Sequence, residues 1–79
     1  VNQSYVRKGL TDVQGKSLHE IQVETAYVWA GRACAAALLG RDDDAHEFAH
    51  EAIEHAALSG SDVVLRQVRE AMAAHGVVV

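Results

Sequence analysis

The sequence predicts a small all-α domain of three helices, with a long first helix, a second that turns back on it as a hairpin, and a third. Three observations carry this. Apolar and small residues recur at helical spacing over most of the chain after residue 16. Helix-start patterns stand at Ser17-Leu18-His19-Glu20, Asp42-Asp43-Asp44 and Ser61-Asp62. Gly40, Gly60 and Gly76 close the three segments, and proline is absent from the 79 residues.

Residues 1–16 are weakly patterned. Val-Asn-Gln-Ser-Tyr-Val suits an extended stretch, but Gly9 and Gly15 interrupt any long element. This part is expected to be a short irregular arm, with the helical domain spanning 17–79. The first helix should begin at Leu18, because Ser17-x-x-Glu20 is a capping box, and should run to about Leu39. Leu18, Ile21 and Val28 oppose Glu20 and Glu24 in its first half. Its second half, Ala33-Cys34-Ala35-Ala36-Ala37-Leu38-Leu39, is apolar on every side, so it is buried all round or meets a partner.

The second helix is expected from Ala45 to about Leu58 or Ser59, with the aspartates before it and a box-like Asp44-x-x-Glu47 at its start. At about 100° per residue, Ala45, Phe48, Ala49, Ala52, Ile53 and Ala56 share one face. Glu47, Glu51 and Glu54 lie opposite, with His46 and His50 on one shoulder and His55 on the other. The third helix should run from Asp62 to about His75, with Val64, Leu65, Val68, Ala71 and Met72 facing inward. The Val77-Val78-Val79 tail either docks or marks a truncation.

Composition bounds the function. The formal charge is −4, and it is uneven: residues 1–40 carry +1 and residues 41–79 carry −5. No basic stripe exists for nucleic acid. No apolar run approaches the roughly 20 residues of a membrane span. No basic stretch followed by an apolar core marks a signal peptide, and a single Cys34 in an apolar segment fits a buried thiol in a reducing, cytoplasmic setting. Alanine is the commonest residue (14), so the core is short of bulk for a domain this small. With no disulfide partner and no clear structural metal set, self-association is the expected remedy.

His46-Glu47-Phe48-Ala49-His50 reads H-E-x-x-H. The pattern resembles that of zinc peptidases, which implies two zinc-binding histidines, a general-base Glu47 and, by spacing, Glu70 as third ligand. Three features oppose that role. Glu70 falls opposite the apolar face of its helix, charged Glu51 follows the second histidine, and a chain with hardly a strand offers no substrate-binding edge. The expectation is therefore no catalytic residue and no cofactor, with a metal held by His46 and His50 as the alternative and a zinc hydrolase as its extreme form. His55 and His75 read as boundary residues, His75 suiting the negative end of its helix. Tyr27 and Trp29 read as packing residues in preference to an aromatic cage.

Trp29, Ala33, Gly40, Ala45 and Ala52 have the spacing of the aromatic, small and turn-glycine positions of one tetratricopeptide repeat, so residues 26–59 resemble such a unit. The resemblance implies a helical hairpin used for protein or peptide binding. The function expected from the whole chain is a non-enzymatic protein–protein interaction module, a small homodimeric adaptor or regulatory protein. Val28, Trp29, Leu38 and Leu39 are its candidate contact residues, and the acidic face of the second helix is suited to steering a basic partner. A fragment whose function lies in further sequence is the third possibility, since Val1 stands first in place of Met.

Overall fold

A computed structural model describes residues 17–78, and within them the chain forms three α-helices: α1 (Leu18–Leu38), α2 (Asp42–Leu58) and α3 (Asp62–Ala73). The expected arm over 1–16 and the last residue of the valine tail lie outside the described residues. No described helix is long and apolar enough to cross a membrane.

Each boundary has a local cause. The Ser17 hydroxyl accepts the Glu20 backbone N–H at 3.2 Å, and the same hydroxyl lies 3.3 Å from the Glu20 carboxylate, to which it donates. The helix starts where the capping box predicts, but only the Ser17 half of the box is formed, since the Glu20 carboxylate takes the Ser17 hydroxyl and not its backbone N–H. At the other end of α1, Gly40 takes φ +77°, a left-handed conformation that costs a residue with a Cβ far more. Its N–H reaches the Ala37 carbonyl and the Arg41 N–H reaches the Ala36 carbonyl, so two orphan carbonyls are satisfied in a Schellman turn.

That turn leads directly into α2, which corrects the expected start. α2 begins at Asp42 rather than Ala45, and Arg41 is its N-cap without a side-chain bond. Asp42, Asp43 and Asp44 therefore form the first helical turn, where they complement the helix dipole. The box-like Asp44-x-x-Glu47 start is not formed.

α2 ends through a relay. The buried Ser59 hydroxyl donates to the Ala56 carbonyl at 2.6 Å and accepts the Ser61 N–H at 3.3 Å. Ser61 then caps α3 by accepting the Val64 N–H. α3 ends at Ala73, two residues short of the expected His75, but hydrogen-bonded turns continue to Gly76. The Val77 N–H bonds the Met72 carbonyl, and the Val77 side chain joins Met72 in the core. Val77 thus docks, whereas Val78 is exposed.

α1 and α2 pack antiparallel. Trp29 meets Phe48, and seven residues earlier on α1 Gln22 meets His55, seven residues later on α2. Between these contacts runs a seam of buried alanines: Ala26, Ala30, Ala33 and Ala36 from α1, and Ala45, Ala49, Ala52 and Ala56 from α2. Alanine at the contact lets two helix axes approach to the low end of roughly 8–10 Å. Each such methyl contributes only about 0.8 kcal/mol by burial. The bulk comes from α3, which packs on both helices and inserts Val64, Val68 and Met72. Tyr27 and Cys34 of α1 face α3: the Tyr27 hydroxyl donates to Gln67 Oε1 at 2.5 Å, and Cys34 Sγ lies 3.7 Å from the Ala71 carbonyl. Burial pushes the Cys34 thiol above its ordinary pKa, which favours the protonated, less nucleophilic form. Ala71, expected on the inner face of α3, is exposed.

Gly31 stands in the middle of α1 with nothing within 4 Å of where a Cβ would lie. No packing within the chain requires glycine there, and a mid-helix glycine costs about 1 kcal/mol relative to alanine. Gly31→Ala is expected to raise the thermal midpoint of dilute protein by roughly 4–8 °C, read by circular dichroism at 222 nm in the usual helix band.

Candidate protein-interaction surface

Among the described residues, α2 and α3 cover two sides of α1 and leave a third side open. Around that open side lie Glu24, Val28, Gly31, Arg32, Ala35, Leu38 and Leu39, all exposed. Val28 is 53% exposed, Leu38 75% and Leu39 74%, so three large apolar side chains stand in water on this side of α1. The all-round apolar end of α1 therefore divides by face. Ala33 and Ala36 go into the seam, Cys34 and Ala37 are half-buried, and Ala35, Leu38 and Leu39 point outward.

Trp29 is placed differently from the other three candidate contact residues. Its ring lies 5.6 Å from that of Phe48, tilted by 42°, and the Arg32 guanidinium carbon sits 5.0 Å from its centroid. The indole thus contacts both Phe48 and Arg32 at the edge of the α1–α2 contact and is half-buried. Tyr27 turns toward α3 instead, so the two aromatics lie on different sides of α1 and do not form a cage. Beside the Trp29 stack runs an apolar groove of about 230 Å³, walled by Arg32, Ala36, Leu39, Arg41 and Phe48. A helix wheel of α1 alone could not reveal this groove, since Phe48 and Arg41 come from beyond the turn.

His46 and His50 are both exposed on α2, and Glu70 is exposed on α3. Among the described residues no group of three or more His, Cys, Asp or Glu side chains is placed to hold a metal ion. His46 lines a cleft with Asp42, His75, Gly76 and Val77 rather than with His50. His55 is engaged within the fold, with Nδ1 2.7 Å from Gln22 Oε1 and Nε2 3.9 Å from the Glu51 carboxylate. His75 Nδ1 lies 3.2 Å from the Ala71 carbonyl at the C-terminal end of α3.

No family model, no curated protein and no solved structure matches this chain. The functional reading therefore rests on the surface itself.

Proposed function

We propose that this chain is a non-enzymatic protein–protein interaction module that self-associates as a homodimer through the open side of α1. The observation that carries the reading is the exposure of Val28, Leu38 and Leu39 on a helix whose other two sides are already packed. A domain with an alanine-dominated core gains the most from covering such a surface. Among the described residues its buried apolar interior holds only Val64, Val68, Met72 and Val77 besides alanines, with larger side chains only partly buried around it. The acidic residues of α2, with Glu47 and Glu54 exposed opposite the seam, suit long-range steering of a basic partner in an adaptor or regulatory role.

Native mass spectrometry of the full chain, with and without added zinc, tests this. The expected result is a metal-independent dimer. The His46→Ala/His50→Ala double variant should keep the same mass and the same thermal midpoint, since neither side chain contributes to the core. A zinc-dependent mass or midpoint that the double variant abolishes would overturn the reading and place the metal chemistry of these histidines at its centre.

A further inference from the structure

Residues 17–78 hold four arginines and no lysine against ten Asp and Glu. Two of those four, Arg32 and Arg41, wall the apolar groove beside the Trp29 stack. They come from different parts of the chain, Arg32 from α1 and Arg41 from the turn into α2. Ala35, Leu39 and Phe48 supply apolar surface in the same groove. One carboxylate, Asp44, also lines it. It stands 4.0 Å from the Arg41 guanidinium, with the two side chains 49% and 69% exposed. A long, solvated pair of that kind holds the arginine weakly. The groove thus carries two cations to one anion, on a chain whose formal charge is −4.

We propose that this groove binds an acidic peptide segment of a partner protein, with an aliphatic side chain seated on Ala35, Leu39 and Phe48 and flanking carboxylates paired to Arg32 and Arg41. Its size suits an anchor of that kind: about 230 Å³ is below the roughly 300 Å³ at which pockets for whole small molecules begin. The Arg32 guanidinium, 5.0 Å over the Trp29 ring, uses its flat face for the stack. Its N–H donors lie in the plane of the group and point outward from its edge, which leaves them available to a carboxylate. Arg41 is anchored by its own backbone, whose N–H is bonded to the Ala36 carbonyl, so the turn fixes where its side chain begins. A basic segment would meet the same two guanidiniums as like charges, and a wholly apolar one would cover them unpaired. The acidic residues suited to a basic partner lie elsewhere, since Glu47 and Glu54 do not line the groove. The proposal goes beyond the homodimer reading: of Val28, Leu38 and Leu39, only Leu39 walls the groove.

The test is titration of the full chain with an acetylated, amidated peptide, Glu-Glu-Leu-Leu-Glu-Glu, followed by calorimetry and by emission of Trp29, the only tryptophan. Binding should saturate at one peptide per chain, with a Kd on the order of 100 µM, and should shift the Trp29 emission. The same peptide with lysines for glutamates, or with alanines for leucines, should bind roughly tenfold more weakly or worse. Ala35→Glu places a carboxylate in the groove from an exposed helical position and should weaken the acidic peptide by a similar factor. Arg41→Gln should weaken it several-fold. Circular dichroism of both variants, unchanged from wild type, separates loss of the site from loss of the fold. Val28→Asp, outside the groove, should leave peptide affinity unchanged whether or not the chain dimerises, so this proposal and the homodimer reading fail separately. No saturable binding of the acidic peptide, equal binding of the lysine peptide, or an affinity that Ala35→Glu leaves unchanged would each overturn the proposal.

Discussion

Met72→Ala should destabilise this domain by about 2–5 kcal/mol, which is most of what a helical domain of this size possesses. Met72 is the largest fully buried side chain, at 1% exposure, and it stands where α3 meets the α1–α2 seam and the docked Val77. The neighbouring wall is largely alanine and cannot extend to fill the space left. Truncation therefore removes both the buried thioether and the contact that holds the Schellman turn after α3. Thermal and urea unfolding should show a chain partly unfolded at room temperature. Met72→Leu, which keeps the volume, should cost less than about 1.5 kcal/mol. Equal losses for the two variants would show that α3 is not the source of the core's bulk.

The opposite change should be nearly as damaging at the centre of the seam. Ala49 is 0% exposed, with Ala45, Ala52 and Ala56 on the same face and the alanines of α1 opposite. A leucine there has no space to enter except by driving the two helices apart, which lifts every other alanine of the seam out of contact. The expected cost is about 3 kcal/mol, the upper end of the overpacking range. Ala57→Leu on the same helix, at an exposed position, should change stability by less than about 0.5 kcal/mol. The contrast between these two substitutions, measured by chemical denaturation, isolates close helix approach from helix propensity, which is the same in both.

Much of this architecture could be read from the amino acids. Ser17, Ser61, Gly40, Gly60 and Gly76 act through their own backbone conformations or through neighbours three or four residues away, so local pattern was enough to place the three helices. The α2 start was misplaced by three residues for a reason that is not local to the aspartates. The Arg41 N–H is consumed by the Ala36 carbonyl of α1, and the chain enters α2 with no spare residue for an aspartate cap. α3 fell short of His75 because its last turns tighten around the Gly76 cap.

The candidate surface was legible in part. Exposure of Val28, Leu38 and Leu39 follows once α1 is known to have too much apolar surface for two neighbours to cover. The place of Trp29 does not follow, because it depends on Phe48 arriving from the other arm of the hairpin.

On the proposed reading the open side of α1 covers itself with another chain. The most direct measurement is sedimentation velocity of the full chain, from low micromolar to submillimolar concentration, beside Val28→Asp. A concentration-dependent monomer–dimer equilibrium that the aspartate abolishes, with helical content unchanged, is the predicted result. Val28 is exposed and its replacement touches none of the buried core, so loss of association should not reflect unfolding. A wild type that remains monomeric across that range, or a dimer that Val28→Asp leaves intact, would contradict the account.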